Sequence, residues 1–388
     1  MAEQGSPEEM SVRMRKASLV TVFAVLVVAS VVATVLLSSP EAAQAAPRSF
    51  FGIVPQASLS EEDAEYMHAA RIGSVRLPIG WESVQPTKRG GYIWEGTDRE
   101  VSTIANQGLE VLPFLAGVPR WVSHKGTTLP IDNARARQGW TAFVKAAVKR
   151  YGPGGEFWTE HTPAAANPDG IVVPRPKPFH VWQIWNEANF FYFVYPVSPT
   201  RYARLLKLSY GAIKPVDPRA KILLSGLFGE PDQKGKQGMS AADFLAALYK
   251  VPGIKHYFDA VALHPYAFHV EDLEAMVEQM RQVVVENHDP GAGLYITEMG
   301  WGSQNDPNIV AFEQGIQGQA RELRGAYRYM LANRHRLNLK AAYWFTWKDS
   351  RYYCNFCDSV GFFRESNRFR PKPAWQAFVG ITGGRARP

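Results

Sequence analysis

Short apolar segments alternate with longer amphipathic ones along most of this chain, and that alternation limits the fold more than any other feature. Strand-like runs are read at 50–54, 74–78, 110–115, 180–187, 221–225, 259–263, 293–298 and 339–347. Helical patterns are read at 60–73, 97–106, 138–150, from Ser198-Pro199 onward, and at 271–287, 320–333 and 373–380. A βαβα order packs as a parallel sheet, and eight such units close into a barrel filled by side chains. The expected fold class is therefore α/β, a single (β/α)8 barrel over 47–388 following a separate segment 1–46. Local signals agree: Ser60 precedes three acids at a helix start, and Gly73 ends that helix. Gly90-Gly91 before Tyr92-Ile93-Trp94 suggests a small hairpin. Residues 152–178 read as a long loop, and 226–238, rich in glycine and charge, as a mobile loop over the barrel mouth.

The first 46 residues read differently. Arg13, Arg15 and Lys16 precede an apolar run at 19–37, followed by small residues and Ala43-Gln44-Ala45. This is the pattern of an export signal, and the run is long enough to serve as an uncleaved membrane anchor. Both readings put the remainder outside the cytoplasmic membrane, secreted or anchored on its outer face. Cys354 and Cys357 then form a small disulfide loop or remain two thiols; an oxidising compartment favours the disulfide. The formal net charge is +7 with no long Lys/Arg run, which speaks against a nucleic-acid partner.

Two of the apolar runs end in an acid. His180-Val181-Trp182-Gln183-Ile184-Trp185 leads into Asn186-Glu187, and Gly293-Leu294-Tyr295-Ile296-Thr297 into Glu298. An ionisable group at the end of a buried strand is costly without a partner or a task. In a parallel barrel all strand C-termini open on one face, so Arg76, Trp121, Asn186, Glu187, His264, Tyr266, Glu298 and Trp347 converge there. Two carboxyls across one mouth suit glycosidic bond cleavage, in which an acid protonates the leaving oxygen and an anion meets the developing cation. Glu187 is the expected acid/base and Glu298 the expected nucleophile. Arg76 and Tyr266 are expected beside Glu298, Asn186 at a sugar 2-hydroxyl, and Trp347 as the floor of the first sugar site.

These motifs carry a resemblance. Trp185-Asn186-Glu187, Ile296-Thr297-Glu298, His264-Pro265-Tyr266 and the stretch from Tyr343 to Trp347 resemble the clan A glycoside hydrolases. Val75-Arg76-Leu77 with Trp81-Glu82-Ser83-Val84-Gln85-Pro86 is similar to families 39 and 5 of that clan. The resemblance covers roughly residues 50–380. It implies a (β/α)8 barrel, retention of anomeric configuration, an Asn-Glu acid/base pair after strand four and a glutamate nucleophile after strand seven. Asn186, Glu187 and Glu298 match those positions; Arg76, His264, Tyr266 and Trp347 match by strand.

The sequence thus points to a retaining O-glycosyl hydrolase needing no cofactor or metal. The expected partner is a carbohydrate, a cell-envelope or plant-wall glycan, acted on by a monomer with membrane anchoring through 19–37 as an option. A non-catalytic carbohydrate-binding barrel and a transglycosylase with the same acid pair are the alternatives. Zinc-protease, serine-hydrolase and phosphate-loop motifs do not occur in the chain. The sugar, the linkage and the mode of cleavage are not encoded in these motifs.

Overall fold

The structure is a computed structural model and describes residues 46–165, 169–231, 238–305, 312–351, 354, 357–365 and 369–388. The apolar run 19–37 and Ala43-Gln44-Ala45 lie outside them. No helix among the described residues is long and apolar enough to cross a membrane.

Nine strand segments form one sheet: β1 (Phe51–Val54), β2 (Ser74–Gly80), β3 (Glu110–Ala116), β4 (Val181–Ile184), β5 (Lys221–Leu223), β6 (Leu227–Phe228), β7 (Ala260–His264), β8 (Gly293–Met299) and β9 (Leu339–Phe345). Their order is β5-β4-β3-β2-β1-β9-β8-β7-β6, and an additional β5–β7 pairing closes the ring. Every pairing between strands is parallel, from Phe51 opposite Ala342 in β1–β9 to Leu223 opposite Ala260 in β5–β7. β5 and β6 are two pieces of one stave, so the barrel has eight.

The break in that stave has a steric cause. Gly226 adopts φ +65°, and a Cβ there would lie 2.2 Å from His264 Nε2. Only glycine accepts both the left-handed backbone and the imidazole packed against it. The expected loop at 226–238 therefore begins as the strand Leu227–Phe228, and Gly238 bridges to Phe190; residues 232–237 lie outside the described ones.

Helices cover the barrel. Ser60 caps Glu61–Ala69 in a capping box with Asp63, and Ser198 caps Pro199–Ile213 with proline in the first turn. The helix expected from 138 begins at Ala134, because the Asn133 side chain accepts from Ala136 N. Ala241–Tyr249, capped by Ser240, is a helix that the sequence reading passed over, and 152–178 contains a short helix at Glu156–Glu160. The hairpin expected at 90–94 does not form. Tyr92 and Trp94 instead seat their rings against Phe143 and Tyr151, and Glu95–Asn106 starts directly after them. Packing on a buried helix face wins over a ladder with no partner strand.

The C-terminal helix Pro373–Thr382 returns to the first unit, where Thr382 Oγ1 donates to Ala70 O and Arg385 N donates to Ala69 O. Cys354 and Cys357 are joined by a disulfide, with Cα atoms 5.1 Å apart.

Candidate active site

Arg76 in the first half of β2 and the C-terminal ends of β4, β7 and β8 meet around a buried guanidinium. Arg76, fully buried in β2, donates Nη1 to Glu298 Oε1 at 2.5 Å, Nη2 to Asn186 Oδ1 at 2.7 Å and Nε to Gln183 Oε1 at 2.7 Å. Its planar fork thus ties three staves together. The Phe114 ring, half-buried in β3, lies 4.2 Å from the guanidinium carbon. Tyr266 donates its hydroxyl to Glu298 Oε2 at 2.8 Å, so both oxygens of Glu298 are held.

Glu187 is held from the other side. His264 Nδ1 lies 2.7 Å from Glu187 Oε1, and His264 Nε2 lies 2.9 Å from Thr297 Oγ1. Gln183 Oε1 accepts from Arg76, so its Nε2 is the donor, to Leu224 O at 3.0 Å and more weakly to Thr297 Oγ1 at 3.5 Å. A neutral imidazole carries one N–H, so His264 donates to one of Glu187 and Thr297 and accepts from the other. Burial, reinforced by the Arg76 charge, pushes His264 well below its usual pKa and keeps it neutral.

The two acids face each other. A carboxylate oxygen of Glu187, a ring nitrogen of His264 and a carboxylate oxygen of Glu298 all lie within 4.8 Å of one another. Burial pushes Glu187 well above the usual carboxylate range, and the charge of Glu298 pushes it further. Burial raises Glu298 as well, but Arg76 and the Tyr266 hydroxyl pull it back. The shared proton therefore rests on Glu187, and Glu298 carries the charge. The same trio is within reach of a metal ion. Arg76 already bonds Glu298 Oε1, and His264 bonds Glu187 through Nδ1 and Thr297 through Nε2.

The backbone is unusual at this point. Trp185 and Glu187 have φ of 71° and 40°, a left-handed conformation that costs a non-glycine residue on the order of 1–3 kcal/mol and tends to persist at functional sites. Glu187 N donates to Ser225 O at 2.8 Å and Trp185 N to Leu115 O at 2.8 Å, so neighbouring staves impose the turn.

Arg76→Met is expected to raise Glu298 further, since burial then acts without a counter-charge. The acidic limb of kcat/KM should move to higher pH. Stability should be greatest below the ordinary carboxylate range and fall as pH rises through the raised Glu298 pKa, with a loss of about 3–5 kcal/mol when Glu298 is ionised. A pH–rate profile with an unmoved acidic limb would contradict the role given to Arg76.

Of the residues singled out from sequence, the structure brings Arg76, Asn186, Glu187, His264, Tyr266 and Glu298 into one network. Trp347 stands elsewhere and corrects the expectation of a sugar floor. It is 2% exposed, donates Nε1 to Asp63 Oδ1 at 2.7 Å, and lies among Phe363 and Trp375. An indole enclosed in this way offers no face to a sugar. β9 ends two residues earlier, and the aromatic at its tip is Phe345, 6.1 Å from the Tyr266 ring. Trp121 is also apart from the network: half-buried, it donates to Gln85 O at 3.1 Å and sets its edge on Trp81, anchoring the loops after β2 and β3. Sequence reading missed Gln183, Thr297, Phe114 and Phe345. For Gln183 a signal existed, an amide inside an otherwise apolar strand.

No protein-family model matches the sequence, and no curated protein matches it. Solved structures do match. A family 39 glycoside hydrolase from Bacteroides cellulosilyticus WH2 is 19% identical with a TM-score of 0.62, over 88% of this chain and 64% of that one. A GH39 β-xylosidase from Caulobacter crescentus is 16% identical with a TM-score of 0.60, over 88% of this chain and 73% of that one. Xylanase 10B from Thermotoga maritima is 15% identical with a TM-score of 0.57, over 87% and 96%. The shared property is the (β/α)8 fold. The chain thus spans under two thirds of the length of the first of these, and the resemblance read from sequence is met at the level of the barrel.

Proposed function

We propose that this chain is a retaining glycoside hydrolase acting on a β-linked oligo- or polysaccharide through a covalent glycosyl-enzyme intermediate. The observation that carries this reading is the approach of Glu187 and Glu298 to within 4.8 Å. Retaining pairs stand about 5–5.5 Å apart, whereas inverting pairs stand about 6.5–9.5 Å apart to admit a water between them. A pure binding barrel has no use for two buried acids held at such cost.

In the first step Glu298 attacks the anomeric carbon while Glu187 gives its proton to the leaving oxygen. Esterified Glu298 no longer carries charge, so the pKa of Glu187 falls. Glu187 then takes a proton from water, which attacks the anomeric carbon and restores both groups. Arg76 and Tyr266 keep Glu298 ionised and aimed. Asn186 Oδ1 is occupied by Arg76, which leaves its Nδ2 protons for the sugar 2-hydroxyl. The relatives by fold include a β-xylosidase, a xylanase and an exo-β-1,4-mannosidase, which supports a β-linked substrate. The export-like leader and the Cys354–Cys357 disulfide support action outside the cytoplasmic membrane.

The test is a panel of aryl β-glycosides, with the anomer first released followed by NMR. The β-anomer should appear first and mutarotate later. Release of the α-anomer, or silence on every β-glycoside, would defeat the proposal.

A further inference from the structure

Among the described residues, the loop that begins at the acid/base carries the largest group of exposed aromatics. Phe190 and Phe191 are half-buried, whereas Tyr192 is 67% exposed, Phe193 38% and Tyr195 65%. The nucleophile's partner Tyr266 stacks on Phe228 at 5.8 Å, Phe228 stacks on Phe190 at 5.1 Å, and Phe190 meets Tyr192 edge-on at 5.0 Å. One aromatic wall therefore runs from Glu298 outward, past Glu187, to solvent.

This wall is held from behind. Asn189, fully buried, accepts from Phe228 N at 2.9 Å and donates Nδ2 to Phe228 O at 2.7 Å and Met239 O at 2.8 Å. Trp185 donates Nε1 to Phe193 O at 3.1 Å, and Tyr195 N donates to Thr127 O at 3.0 Å. The backbone is pinned while the rings face out, an arrangement that costs exposed apolar area and points to a ligand.

We propose that this wall is the binding platform for the leaving-group side of the substrate, and that its occupant is a further pyranose ring of an oligosaccharide. The inference rests on the function proposed above. The group that protonates the leaving oxygen must stand next to the leaving group, and Glu187 is three residues before Phe190. A pyranose offers an apolar C–H face for stacking and hydroxyls at its rim. Tyr192 and Tyr195 offer flat rings with phenol hydroxyls, which an acyl or alkyl chain could not use.

The test compares two substrates with the same donor sugar. Fluoride as a leaving group occupies no subsite, whereas a tetraose fills the platform. The probes are the β-fluorides of xylose, glucose and mannose, the matching β-1,4-linked tetraoses and the octyl β-glycosides. In Tyr192→Ala and in Phe193→Ala the ratio of kcat/KM for tetraose to that for fluoride should fall about ten-fold, the size of one stacking contact. Tyr192→Trp should restore it. A ratio that stays at the wild-type value overturns the platform, and so does a loss confined to the octyl glycoside. A wild-type protein inert toward fluorides and tetraoses alike overturns the underlying function, and the platform with it.

Discussion

Glu298→Gln is expected to leave a folded protein whose turnover of β-glycosides falls by about 10⁴-fold or more. The amide keeps the shape of the acid. Its oxygen can still accept from Arg76, which donates to Glu298 Oε1 at 2.5 Å in the native chain, and the Tyr266 hydroxyl can turn from donor to acceptor. What is lost is the anion, and with it the attacking electron pair. Binding should survive, so titration of the variant with an oligosaccharide substrate should give near-native affinity. Removing the charge also removes one of the two causes that push Glu187 up, the other being burial. Glu187 should therefore titrate closer to the ordinary carboxylate range in this variant, a shift that NMR of a labelled glutamate would read. Retained turnover at even a few per cent would mean that Glu298 is not the nucleophile.

Much of this was open to sequence reading, and the reasons differ by residue. The barrel followed from period and count, because each strand–helix unit buries the same kind of face. The partners of Glu298 followed from strand position, since β2 and β7 are staves whose tips open on the same mouth. The Glu187–His264–Thr297 line did not follow. It depends on Gly226 clearing space for the imidazole and on the left-handed turn at Trp185 and Glu187, and neither has a signature in the residues alone. Trp347 misled for a related reason. Inward and outward alternation holds only inside a strand, and β9 ends at Phe345. There Thr346 Oγ1 donates to Val54 O at 2.6 Å, and Trp347 turns into the aromatic shell.

Glu187→Ala should separate the two steps of the reaction. Without an acid, a glycoside with a poor leaving group should slow by about 10²–10⁴-fold, while one with a dinitrophenolate leaving group, which needs no proton, should keep most of its first-step rate. The covalent intermediate should then accumulate, since no base activates water. Added azide, a nucleophile that needs no base, should restore turnover and give the β-glycosyl azide. The pH profile supplies an independent sign. In the native protein Glu187 is active while protonated, so kcat/KM falls as pH rises through its raised pKa. In the variant that alkaline limb should disappear, whereas the acidic limb, set by protonation of Glu298, should remain. Removing one of two buried acids also relieves their repulsion. The folded-state pKa of Glu187 is raised, so the cost of holding it grows as pH rises above the ordinary carboxylate range. The variant also strips the buried His264 Nδ1 of its partner at 2.7 Å, a cost present at every pH, so it should be less stable than the native chain at low pH and recover relative to it on the alkaline side. If azide fails to rescue and the alkaline limb persists, the proton donor is another residue and Glu187 only shapes the site.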